Sequence, residues 1–100
     1  MAANNAVMPM VQRAVTFLSG HLRAQGDSRV SGGTFYWEGT NGLSILAWNA
    51  DNHQITYGVL RSALMVLEDY MVKVTGPGTA EFTIWDGYRQ VGQGVLRWKD

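Results

Sequence analysis

The chain has 100 residues, 46% of them hydrophobic and 16% charged, with eight basic and eight acidic side chains and no cysteine. That length is one ordinary domain, large enough to fold on its own core without a metal or a disulfide. Zero net charge argues against nucleic acid, whose phosphates call for a basic excess, and the missing cysteines remove disulfides, thiolate nucleophiles and Cys-ligated zinc.

The opening stretch, Met1 to Ala6, has no charged n-region and no apolar h-region, so it does not read as a signal peptide. The small, polar run Ala2-Ala3-Asn4-Asn5 suits a mature N-terminus. Pro9 then suits the first turn of a helix, where its missing N–H is not needed. Val11, Val15, Leu18 and Leu22 recur at helical spacing, with Met10, Ala14 and Phe17 widening the stripe, and Gly26 is placed to stop the helix.

Ser31-Gly32-Gly33 reads as a turn. Thr34 to Glu38 is rich in aromatic and β-favouring residues, Asn41-Gly42 is a strong hairpin signal, and Leu43 to Trp48 is the return strand. A two-residue turn at Asn41-Gly42 sets Trp37 opposite Leu46 and Phe35 opposite Trp48 on one face. Tyr36, Glu38, Ile45 and Ala47 then fall on the other.

Asn49 to Gln54 is a polar loop and Thr56 an N-cap. Leu60, Ala63, Leu64, Leu67, Tyr70, Met71 and Val74 trace a second amphipathic helix. Gly58 in its first turn is best explained by close backbone packing. Gly76-Pro77-Gly78 ends the helix, Ala80 to Trp85 is a third strand, Asp86-Gly87 a turn and Val91 to Trp98 a fourth strand. Gly92 and Gly94 inside that last strand predict a bulge or a bend.

The expected fold is therefore α+β, an αββαββ chain with a four-stranded, mainly antiparallel sheet and two helices packed on one face. It forms a single domain over residues 1–100. The two halves, 9–49 and 56–98, also read as an internal repeat: Trp37-Glu38-Gly39 matches Trp85-Asp86-Gly87, and Ile45-Leu46-Ala47-Trp48 matches Val95-Leu96-Arg97-Trp98. Because apolar residues fall on both faces of each hairpin, two helices leave one apolar face uncovered. Either the sheet curls into a barrel-like core or a second copy of the chain covers it, and the second copy is the favoured expectation, since two-fold dimers are the commonest assemblies.

Side chains with chemical potential are sparse. His53 shares its loop with Asp51, and a general base needs such an orienting acid, although Asx-rich loops more often make turns and caps. His21, near a helix C-terminus, has no Cys, Asp or Glu at ligand spacing. Glu38 and Asp86 precede turns in equivalent positions, and a symmetric packing of the halves would bring them together as paired carboxylates. No serine sits in a Gly-x-Ser-x-Gly elbow, and no glycine run enters a helix as a phosphate loop does. No catalytic residue, metal ligand or cofactor is assigned. The charged fraction, low against about 25% in typical domains, points instead to a surface that meets a partner. The residues assigned to it, as interface or ligand platform, are Tyr36, Trp37, Ile45, Trp48, Trp85 and Trp98. No stretch approaches the ~20 apolar residues of a membrane span, so no membrane partner is expected.

The run His53-Gln54-Ile55-Thr56-Tyr57-Gly58-Val59-Leu60, continuing through Ala63-Leu64 and Leu67 to Tyr70-Met71, resembles a segment of small secreted proteins of filamentous fungi. Phe82-Thr83-Ile84-Trp85-Asp86-Gly87 and Val91-Gly92-Gln93-Gly94 fit the same resemblance, which covers roughly the second half of the chain. It implies an extracellular, non-enzymatic protein of elicitor or effector type that meets a plant-host protein or glycan. The alternatives carried beside it are a carbohydrate- or small-molecule-binding module built on exposed tryptophans, and a small hydrolase-like enzyme using His53 and Asp51.

Overall fold

In the computed structural model, which describes residues 6–39, 42–50, 53–76 and 78–98, the chain runs helix, two strands, helix, two strands. The elements are α1 (Val7–Gln25), β1 (Thr34–Glu38), β2 (Leu43–Asn49), α2 (Tyr57–Tyr70), β3 (Ala80–Asp86) and β4 (Arg89–Trp98). The strands form one antiparallel sheet in the order β1-β2-β4-β3. This is the α+β fold read from the sequence. Asn41, Asp51, Pro77, Lys99 and Asp100 lie outside the described residues, and with them the full Asn41-Gly42 turn and the His53–Asp51 pairing.

α1 begins two residues ahead of Pro9, which sits in the first turn, and ends at Gly26. Gly26 takes φ 77°, a conformation that suits glycine, and its N–H donates to the Leu22 carbonyl at 2.9 Å. Val7, Met10, Val11, Ala14 and Leu18 make its buried stripe. The connection after α1 then lies beside the segment that leads into α2. Val30 N–H donates to Ile55 O at 2.8 Å, and Tyr57 N–H donates to Ser28 O at 3.0 Å.

That arrangement builds a double cap on α2. Thr56 Oγ1 accepts from Val59 N–H at 3.2 Å, as its position before the apolar run predicts. Asp27 Oδ1 accepts from Gly58 N–H at 2.9 Å, which places a carboxylate at the positive end of the helix dipole. A Cβ on Gly58 would stand 2.6 Å from Asp27 Oδ2, so the glycine is there for close approach. Thr56→Ala is expected to lower stability by about 1 kcal/mol, read as a shift in the urea midpoint at unchanged m-value.

The C-terminal end of α2 departs from the helical spacing of the sequence. Residues Met71–Thr75 form one wide π turn, closed by Gly76 N–H donating to Met71 O at 2.7 Å. An extra residue in that turn rotates the last residues of the helical segment away from the core. Met71 remains buried, whereas Val72 and Val74 are exposed, and Tyr70 is half-exposed.

Both helices cover one face of the sheet and pack antiparallel on each other. Gln12 Nε2 donates to Glu68 Oε2 at 2.9 Å, and Arg61 Nε donates to Ser19 Oγ at 2.6 Å, across their seam. The hairpin register differs by one residue from the one a two-residue turn predicts. Trp37 pairs with Ile45, Phe35 with Ala47, Tyr36 with Leu46 and Thr34 with Trp48. The last strand pair is Glu38 with Ser44, so the connection is longer than two residues, and a slip of one exchanges the faces. Directly opposed residues share a face. Phe35, Trp37, Leu43, Ile45 and Ala47 therefore face the helices together with Ala80, Phe82, Ile84, Leu96 and Trp98.

The second hairpin turns at Gly87-Tyr88, one position beyond the Asp86-Gly87 signal, with Gly87 at φ 66° and Asp86 opposite Arg89. A bulge separates the Ile84–Gly92 pair from the Trp85–Gln90 pair and leaves Val91 as the extra residue, next to the glycine that suggested it. The order of elements repeats, but the residue matches do not follow the geometry. Trp37 faces the helices and Trp85 faces away, and Trp48 faces away while Trp98 faces the helices. Glu38 and Asp86 do not approach either. They sit on opposite edge strands, three inter-strand spacings of about 4.8 Å apart.

Candidate functional site

The surface without a covering layer is the far face of the sheet. Because the two helices take the alternate residues of every strand, parity alone places the rest on it. One row across the sheet is Glu38, Ser44 and Arg97, and the next is Tyr36, Leu46, Val95 and Glu81. A third row is Thr34, Trp48, Gln93 and Thr83, and Trp85 lies beyond Thr83 on β3.

The centre of this face is apolar. Tyr36 is 49% exposed and Trp85 53%, while Leu46, Trp48 and Val95 are partly covered by their neighbours. Two hydrogen bonds fix the surroundings. Trp85 Nε1 donates to Thr83 Oγ1 at 2.8 Å, which holds the indole along its own strand, and Ser44 Oγ donates to Arg97 O at 3.4 Å. Glu38, Arg97, Glu81, Thr34 and Thr83 ring the apolar centre with polar groups.

Of the six residues assigned from the sequence, three meet here: Tyr36, Trp48 and Trp85. The other three belong to the helix side. Ile45 is fully buried, and Trp98 is partly buried against the core. Trp37 stacks on Phe35 with ring centroids 6.4 Å apart and meets Phe17 at 5.2 Å. Leu46 and Val95, at the middle of the outer face, were missed as site residues. The signal for Val95 was present: apolar Ile84 and Phe82, buried and partly buried, set the parity of β3, and Val95 lies opposite Glu81, which that parity turns outward.

An open depression of about 1140 Å³ continues from this face around the free edge of β3. On the helix side its wall is α2, through Ala63, Val66, Leu67 and Tyr70, and its floor is Ala80 and Phe82. Val66 and Tyr70 are exposed.

The histidines stand apart from both surfaces. His21 lies with its ring centroid 4.0 Å from that of Tyr57, in an aromatic group with Phe17, and His53 N–H donates to Ala50 O at 3.0 Å. Among the described residues no three His, Cys, Asp or Glu side chains gather as metal ligands. Among the same residues, no helix is long and apolar enough to cross a membrane. The outer face as built can stack on flat surfaces and exclude water from them; among the described residues it assembles no nucleophile with a base beside it.

No family model, curated protein or solved structure matches this chain.

Proposed function

We propose that this chain is a non-enzymatic interaction protein that acts outside the cell, in the manner of small fungal elicitors and effectors, and that it works as a homodimer joined through the outer face of its sheet. The observation that carries the dimer is the arrangement of that face: Tyr36, Leu46, Trp48 and Val95 form an uncovered apolar centre inside a polar ring. An apolar core with a polar rim is the anatomy of a protein interface. A two-fold axis through the face sets this patch on its own copy, and the aromatic members supply rigid contact area. The extracellular setting rests on the resemblance of the second half of the chain to small secreted fungal proteins.

Sedimentation equilibrium tests the dimer. The wild-type chain is expected at twice its monomer mass at micromolar concentration, and Leu46→Glu at the monomer mass, because the substitution buries an unpaired carboxylate in the seam. A wild-type chain that sediments as a monomer throughout overturns the proposal.

One observation favours a second reading, a glycan-binding module. Trp85 is held by Thr83 with half of its surface exposed, as a sugar-stacking platform requires. Titration of a glycan panel against tryptophan fluorescence separates the two readings: a saturable response lost in Trp85→Ala supports glycan binding, and a flat response removes it.

A further inference from the structure

We infer that β3 and α2 together form a binding site for an extended peptide segment of another protein, which adds to the sheet as a fifth strand beside β3. The segment carries large apolar residues at alternate positions and a lysine or arginine beside Glu81. This site adjoins the outer face of the proposed dimer and shares Glu81 and Thr83 of its polar ring, but it does not depend on the dimer.

The strand order carries the first part of the argument. β3 is an edge strand of seven residues, and the backbone side turned away from β4 has no strand partner among the described residues. Proteins commonly blunt such an edge with lysine, proline or a bulge. Ala80–Asp86 contains no lysine and no proline, and its single irregularity lies at the Trp85 end. The other edge strand, β1, is shorter.

The second part is the groove. An added strand sends alternate side chains to the two faces of the sheet. On the helix side they meet the wall of α2, where Val66 and Tyr70 stand exposed above Ala80 and Phe82. A helix beside a free edge gives affinity through main-chain hydrogen bonds and selectivity through pockets for every second side chain. On the opposite side the same segment meets Glu81, Thr83 and Trp85.

Charge selects the occupant. Glu81 is exposed at the lip of the groove, and among the described residues it forms no ion pair. The α2 wall brings no base to it, since Ser62, Ala63, Val66, Leu67 and Tyr70 are all neutral, and Arg97 of β4, the base that also lines the depression, forms no ion pair with it. Asp86, the other acid of β3, already faces Arg89. A basic side chain on the incoming strand answers Glu81. A second copy pairing through β3 brings two further carboxylates and no base on the pairing strand, which argues against self-pairing at this edge.

The test uses a short fluorescein-labelled peptide that alternates isoleucine with lysine and threonine, followed by fluorescence anisotropy on the full chain. Saturable binding is expected. N-methylation of alternate peptide amides is expected to weaken it by about tenfold or more, because it removes strand hydrogen bonds while keeping composition and charge. Val66→Glu is expected to weaken it similarly. Glu81→Lys is expected to lower affinity for the lysine peptide and to raise affinity for its glutamate counterpart, a reversal that misfolding cannot produce. Leu46→Glu is expected to bind as the wild type does, so failure of the dimer and failure of this site are read separately. Absence of binding at millimolar peptide, or equal binding of the N-methylated peptide, overturns the inference. A fall in the chain's own sedimenting mass in Val66→Glu also overturns it, because the groove then belongs to a second copy.

Discussion

Ile45→Ala is expected to destabilise the chain by about 3 kcal/mol, and Leu46→Ala, its neighbour in sequence, by less than about 1 kcal/mol. The two side chains are similar in size, so the contrast comes from which face each occupies. Ile45 is completely buried opposite Trp37 and Leu96, under both helices. Truncating it removes transfer free energy and leaves a cavity that surrounding strands cannot close. Leu46 lies between Tyr36 and Val95 on the outer face, where truncation of a partly covered side chain opens no cavity. For a domain of this size about 1 kcal/mol moves the melting temperature by roughly 4–8 °C, so thermal unfolding separates the variants clearly. The measurement belongs at low protein concentration, because the proposed dimer adds a concentration-dependent term to Leu46 alone. The opposite ranking, with Leu46→Ala the more damaging, would mean that the hairpin is shifted by one residue.

The second large effect is expected at Gly92. An alanine Cβ there would stand 2.5 Å from Ile55 Cδ1, 2.7 Å from Ile55 Cγ1 and 2.8 Å from the Trp48 carbonyl oxygen. Ile55 is itself buried and anchored, its N–H donating to Asn49 Oδ1 at 2.9 Å, and the Trp48 oxygen belongs to the backbone of the adjacent strand. Neither neighbour can move cheaply, so Gly92→Ala is expected to cost about 2–3 kcal/mol, and Gly92→Val more. Combining Gly92→Ala with Ile55→Ala removes the side-chain clash but not the one with the carbonyl. Only part of the loss is therefore recovered in a double-mutant cycle by urea unfolding. Gly20→Ala is the control. It lies inside α1 with nothing within 4 Å of the added methyl, and is expected to stabilise by about 0.5–1 kcal/mol through helix propensity. Equal and small effects at the two glycines would refute the close approach at Gly92.

Gly92 and the Ile45–Leu46 pair also differ in how far the sequence reveals them. Gly92 was legible in part: a glycine inside a strand marks a bulge or a bend, and the bulge lies beside it, whereas the close approach of Ile55 and the Trp48 carbonyl came only with the fold. The parity of Ile45 and Leu46 was not legible. Asn41-Gly42 is a strong signal for a tight turn, but the turn signal does not count the residues around it, and one additional position exchanges every side chain of β2 between faces relative to β1. The same exchange sorted the first-hairpin residues of the candidate site, and the pairing of β4 with β2 and β3 sorted Trp98 and Trp85. Tyr36, Trp48 and Trp85 face outward, while Trp37, Ile45 and Trp98 went to the core, and nothing in the composition of the strands distinguishes the two sets. On α2, the apolar spacing ran on through Val74, and the π turn after Tyr70 ended it early by adding a residue that helical periodicity does not contain.

The amino acids by themselves determine local features: an apolar stripe at helical spacing over α1 and α2, the stop at Gly26, the cap at Thr56, and four segments of β-favouring residues. These arise from interactions between near neighbours, which any short stretch carries with it. Which face of the sheet meets the helices, that Asp27 reaches across to cap α2, and that β3 is left as an open edge beside an apolar helix wall were decided only when distant segments packed. Those choices depend on contacts between residues far apart in the chain, whose free energies exist only in the assembled fold.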